Sequence, residues 1–121
     1  MTILHAVPAA DWNADPDRPL APPSLGDEGF VHCSRDEQVT LAVVDAFYRD
    51  APRPLLVLEV DEALLSSPVR WEAASPAPPP GVADDVLFPH VLGPIDRAAV
   101  VAVHEVVWDA DGRPTGLRPV G

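Results

Sequence analysis

An α+β domain is the expectation for this chain, and three features of its sequence set it. About six strand-like stretches run along it, a single long amphipathic helix sits among them, and strands and helices do not alternate regularly, which argues against a doubly wound sheet. At 121 residues the chain has the length of one domain, and no repeat or composition break marks a linker, so residues 1–121 are read as one unit.

The elements follow in order. Residues 2–7 read as a first strand. Residues 11–24 hold Asp15-Pro16, Arg18-Pro19 and Pro22-Pro23, and each proline removes a backbone donor and steers its predecessor away from helix, so a loop is expected. Residues 29–33 read as a second, short strand. Ser34 stands three residues before Glu37, the spacing of a capping box, and predicts a helix from Ser34 to about Asp50, ahead of Pro52. Val39, Ala42, Val43, Ala46 and Phe47 mark its apolar stripe, widened by Leu41, Val44 and Tyr48; Arg35, Asp36, Thr40, Asp45 and Arg49 are expected to face water. Residues 55–60 form a strand apolar on both faces except at Glu59, with a helical turn over 61–65. Strands at 69–73 and 86–92 flank the proline-rich stretch 74–85, with Pro76 and Pro78-Pro79-Pro80-Gly81, which reads as a surface flap. Residues 99–108 are the longest strand candidate, and Asp111-Gly112 turns the chain into a last segment at 115–120.

Charge narrows the function classes. Eight basic residues, every one Arg, stand against 19 acidic ones, for a formal net charge of −11. With no lysine, Schiff-base and P-loop lysine chemistry are excluded. Nucleic-acid affinity comes largely from basic side chains on phosphates, so broad DNA or RNA binding is not expected, nor is an anionic membrane surface. A local Arg pocket for one small anion stays open. The single Cys33 cannot form an intramolecular disulfide or supply a cysteine-rich zinc site. With no basic amino-terminal leader and no apolar run long enough to span a bilayer, the expected location is the cytoplasm.

Alternation along strands sorts the chemistry-bearing side chains. Phe30, His32 and Ser34 point one way from the second strand while Val31 and Cys33 point the other. With the latter two in the core, His32, Ser34 and the expected helix start share a surface suited to an anion, with Arg35 in the first turn to help. His5 shares a face with Ile3 and Val7, and His90 with Phe88 and Leu92, so both imidazoles lie among apolar neighbours. Desolvation keeps such an imidazole neutral, a donor on one nitrogen and an acceptor on the other, suited to orienting a hydroxyl or taking a proton. His104 reads as structural, Cys33 as a buried small apolar residue, and Ser34 most simply as a helix cap. No dinucleotide, nucleophile-elbow, zincin or EF-hand signature occurs. A zinc site from His5, His32 and His90 has no ligand spacing to support it, and no metal is assigned.

The string Ser24-Leu25, then Glu28-Gly29-Phe30-Val31-His32-Cys33-Ser34 and Gln38, with Phe88-Pro89-His90-Val91 and Gly93-Pro94, resembles the bacterial family called domain of unknown function 952. A first-strand histidine like His5, a tyrosine at the helix end like Tyr48 and a glutamate like Glu72 extend the likeness over nearly the whole chain. Leu92 and Leu4 stand where the family usually has tyrosines. The resemblance implies two packed, mostly antiparallel sheets, one principal helix and an intervening cleft, similar to the ADP-ribosyltransferase fold. In that superfamily the cleft binds NAD. By position, His5 stands for its first-strand residue, His32 and Ser34 for the second, and His90 or Glu72 for the third.

The function this implies is a histidine-lined cleft for NAD, ADP-ribose or another nucleotide-like ligand, with transferase or glycohydrolase activity. His5, His32 and His90 orient ribose hydroxyls in one water-accessible hollow, and Glu72 stabilises positive charge developing on ribose. Phe30, Ser34, Arg35 and Phe88 contact the ligand. NAD enters as a substrate and no other cofactor is assigned. The alternatives are a non-catalytic small-metabolite binding module and a protein-interaction module that uses the flap.

Overall fold

The computed structural model describes residues 1–120. Strand β1 (Thr2–Pro8) runs into a short helix α1 (Ala9–Ala14), and α2 (Pro23–Glu28) leads to β2 (Val31–His32) and the main helix α3 (Glu37–Phe47). Then come β3 (Leu55–Asp61), a 3₁₀ turn at Glu62–Leu64, β4 (Val69–Ala73), β5 (Leu87–Val91), a second 3₁₀ turn at Arg97–Ala99, β6 (Val100–Trp108) and β7 (Pro114–Pro119). The class is α+β, with two sheets ordered β1-β3-β6-β7 and β2-β5-β4, antiparallel throughout. Among the described residues no helix is long and apolar enough to cross a membrane.

β3 is central because it is apolar on both faces, and each face has its own partner. Leu56, Leu58 and Val60 join Ile3 and Val7 of β1 against Val31, Cys33 and Val91 of the other sheet. Leu55 and Val57 point oppositely and pack with Val106 against Val44 of α3. A third cluster, Val39 with Val86 and Phe88, ties the amino half of α3 to β5 and to Val82 of the proline-rich stretch. The sheets also touch through backbone: Ser34 forms an antiparallel bridge with Leu4, with N–H to carbonyl distances of 2.8 and 2.9 Å.

Several expectations change here, each for an identifiable reason. The stretch 11–24, expected as loop, contains most of α1 and the start of α2. Its prolines are compatible with this because Pro22 caps α2 and Pro23 opens it, where no intrahelical donor is required. α3 begins at Glu37, not Ser34, and the cap is Asp36, whose carboxylate accepts from the Val39 N–H at 2.9 Å. Ser34 is occupied in the bridge to Leu4, so the Ser34–Glu37 capping box does not form. Arg35 precedes the helix, is exposed, and pairs with Asp36 at 3.3 Å. The helix is also rotated from its expected phase. Thr40, expected in water, is 2% exposed, whereas Phe47, expected in the stripe, is 70% exposed. Thr40 tolerates burial because its hydroxyl donates to the Asp36 carbonyl at 2.7 Å.

Asp36→Ala should therefore cost about 0.5–2 kcal/mol in denaturant unfolding. Ser34→Ala should cost less than that, since its hydroxyl caps nothing; the reverse ranking would return the cap to Ser34.

Candidate functional site

β2 and β5 place His32 directly opposite His90 in the antiparallel register. Side chains at such paired positions rise from the same face, and Phe30 joins them as the chain leaves Gly29, which ends α2 in the left-handed region at φ 85°. The Phe30 and His90 rings stack with centroids 4.0 Å apart and planes at 20°. His32 meets Phe30 edge-on at 4.7 Å and lies 5.8 Å from His90.

Each of these two histidines has a carboxylate partner. His32 Nε2 lies 2.6 Å from Glu28 of α2, and His90 Nδ1 lies 2.9 Å from Glu72 of β4. A carboxylate accepts, so the facing ring nitrogen carries the proton, which leaves His32 Nδ1 and His90 Nε2 as acceptors in the neutral rings. His90 was expected among apolar neighbours alone; β4 adds the carboxylate from a diagonal position, Glu72 opposing Phe88 and Arg70 opposing His90.

The cleft beside these rings has a volume of about 670 Å³. Phe30, His32, Ser34, Phe88 and His90 line it, with Glu28 at its edge. Thr40, Phe47 and Tyr48 of α3 form the opposite wall, and Ala77 and Pro79 of the proline-rich stretch close one side. Pro79 is buried against the cleft, while most of residues 74–85 are exposed, as expected of a stretch that runs over the surface. Glu72 does not line the cleft but backs His90. Arg35 does not line it either, and the amino end of α3, capped by Asp36 and opened by Glu37, presents carboxylates where an anion site was expected.

The three imidazoles do not share one hollow. His5 lies between the sheets, 4% exposed, and its Nδ1 donates to the His32 backbone carbonyl at 2.7 Å. Its Nε2 is buried without a partner among the described residues. His5 belongs to the wall of a neighbouring hollow of about 560 Å³, which also takes in Arg18 and Arg97 and shares His32, Ala6 and Tyr48 with the cleft. Desolvation, against the backbone hydrogen bond, brings the His5 pKa down to about 4, with the nearby His32 adding to the fall. Burial raises the Tyr48 hydroxyl, keeping it a donor, and pushes the Cys33 thiol well above its ordinary range. Among the described residues no group of three or more His, Cys, Asp or Glu side chains is arranged to hold a metal ion.

Thr40, Phe47 and Tyr48 had no place among the candidate site residues; Phe47 and Tyr48 stood in the expected apolar stripe, and a stripe shifted by one position would have turned Thr40 inward as well. Glu28 stands in the motif string that opens at Glu28-Gly29, but the helix end that sets it beside His32 was not expected from the sequence.

A family model described as protein of unknown function, DUF952, matches residues 6–103, a span that includes Glu28, His32, Glu72 and His90. No curated protein matches the chain. Among solved structures, X-ray crystal structures of protein CC0527 from Caulobacter crescentus and of a double methionine variant of it align with a TM-score of 0.64 in each case. Identity is 22% and 21%, covering 95% of this chain and 94% of the other, a likeness of fold.

The ordinary imidazole pKa is 6.5, and in the folded protein that of His5 lies near 4, so between these values the unfolded chain binds the extra proton. Stability from this group is complete above 6.5 and is lost as pH falls through 4, on the order of 3 kcal/mol in all. Urea unfolding across this window should show that loss in the parent and a correspondingly flatter profile in His5→Gln. Cys33 should resist thiol reagents in the native protein and react once denaturant is added.

Proposed function

The chain belongs to the DUF952 family, described as proteins of unknown function, so the cleft itself must carry the assignment: we propose that it binds a nucleotide-like small molecule through its base and ribose. The observation that carries this is the Phe30–His90 stack at 4.0 Å, flanked by His32 and opening onto a cleft with aromatic walls. A planar heterocycle gains dispersion and quadrupole contacts on such a surface. The acceptor nitrogens His32 Nδ1 and His90 Nε2 suit ribose hydroxyls, which donate.

Two packed antiparallel sheets, a histidine on the first strand and a cleft beside them support an ADP-ribosyltransferase-like reading with NAD as substrate. In a glycohydrolase step the bond between ribose C1 and the nicotinamide nitrogen breaks, its electron pair leaving with nicotinamide. Water adds at C1 and gives its proton to a neutral imidazole, for which His90 is oriented by Glu72 as a base is oriented by a carboxylate. Glu72 is thus a positioning residue for His90, and Glu28 is the carboxylate that lines the cleft. A second reading, a metabolite-binding module without turnover, is favoured by the place of Glu72, which backs His90 and does not line the cleft where an oxocarbenium ion would form.

Thermal shift and calorimetry with NAD, ADP-ribose, nicotinamide riboside and adenosine test the assignment, because a ligand selective for the native state stabilises it by about 2.7 kcal/mol at a hundred times its Kd. At least one compound should stabilise the parent, and Phe30→Ala and His90→Ala should each weaken it roughly tenfold or more, given the usual worth of an aromatic contact plus a hydrogen bond. No stabilisation by any of the four ends the proposal. Nicotinamide release from NAD separates catalysis from binding alone.

A further inference from the structure

We infer that the cleft takes the nucleoside part of its ligand, neutral or cationic, and keeps phosphate, that of a dinucleotide such as NAD included, outside its interior, with Glu28 as the residue that sets this preference; the inference rests on the binding function proposed above. Of the residues that line the cleft, Glu28 alone carries a formal charge at neutral pH when the imidazoles are neutral, and that charge is negative. Its oxygen is 2.6 Å from His32 Nε2, so the carboxylate stands beside the ring expected to meet the ligand. Glu72 lies behind His90, adding a second negative group at one residue's remove. No Lys or Arg lines this space, and the chain has no Lys to bring.

The features that would otherwise receive a phosphate are turned elsewhere. The amino end of α3 is capped by Asp36 and begins with Glu37, and Arg35 is paired with Asp36 outside the cleft. In the neighbouring hollow, the Arg97 guanidinium donates to the carbonyls of Trp12, Arg18 and Asp15 at 2.7, 2.7 and 2.9 Å and lies over the Trp12 ring. Arg18 is 3.3 Å from the Asp15 carboxylate. A phosphate entering the cleft would therefore leave its water shell and approach Glu28 without gaining a cation. The aromatic residues Phe30, Phe47, Phe88 and Tyr48 of the lining supply no cation that could compensate a phosphate. The net charge of −11 sets the same sign at long range.

Matched pairs provide the test: nicotinamide riboside against nicotinamide mononucleotide, and adenosine against its 5′-monophosphate, each titrated calorimetrically into the parent at low and moderate salt. The nucleoside of at least one pair should bind roughly tenfold or more tightly than its phosphate, the scale of one like-charge contact near a protein surface, and salt should narrow the gap. Glu28→Gln, a change at a half-exposed helix end, should reduce that ratio several-fold, while Asp27→Asn, outside the cleft lining, should leave it unchanged. Equal or tighter binding of the phosphates overturns the inference and leaves nucleotide binding standing. A preference that survives Glu28→Gln intact removes Glu28 as its source and overturns that assignment. Failure of all four probes to bind overturns this inference, and if NAD and ADP-ribose fail as well the binding function falls with it.

Discussion

Three hydrogen bonds between β1 and the segment after α2 hold the rest of this structure in place. Two are the reciprocal backbone bonds between Leu4 and Ser34, and the third runs from the His5 imidazole to the His32 carbonyl. They join the sheets at one corner, where β2 contributes only two strand residues and has little ladder of its own. His32 is thus held through its backbone carbonyl by His5, while its ring, half-exposed, pairs with Glu28. His5 contributes through that bond and through filling space between the sheets, beside the neighbouring hollow and not the cleft of His32 and His90.

The same corner explains why the cleft exists. α3 packs against one face of the four-stranded sheet through Val44, Leu55, Val57 and Val106, while β2 and β5 depart from the other face through Val31, Cys33 and Val91. Helix and smaller sheet therefore diverge from β1, and the gap between them is bridged by packing only at Val39, Val86 and Phe88. Burying an imidazole costs desolvation unless it is satisfied, and His90, 8% exposed, meets this through Glu72; His32 is exposed and pairs with Glu28 at the surface.

Much of this was legible from side-chain alternation alone. The period of two placed Val31 and Cys33 inside and His32 with Phe30 outside, and put His5 between Ile3 and Val7, because a strand has only two faces to assign. The helix was harder. Thr40 is polar and Phe47 apolar, yet their environments are exchanged relative to hydropathy: one satisfies its hydroxyl on a carbonyl of the preceding turn, and the other stands at the rim of a cleft. The prolines around α1 and α2 concealed those helices because position, not presence, decides whether a proline breaks one. Which carboxylate meets which imidazole could not be read from spacing, since Glu72 reaches His90 only through the pairing of β4 with β5. The resemblance to the 952 family placed the chain within its family, and the paired sheets agree with it; it pointed to Glu72 but not to the pairing of Glu72 with His90 or of Glu28 with His32.

The cleft draws its parts from two kinds of backbone. His90 and its neighbours stand on a central strand whose residues Phe88 to Val91 are all buried, so their positions tolerate little change. Glu28 and Phe30 stand on a short helix end and the bend after it, exposed or half-exposed and released by a glycine. Substitutions on that rim would reshape the mouth of the cavity while the imidazole on the strand stays where it is, so shape there can change without refolding the sheet.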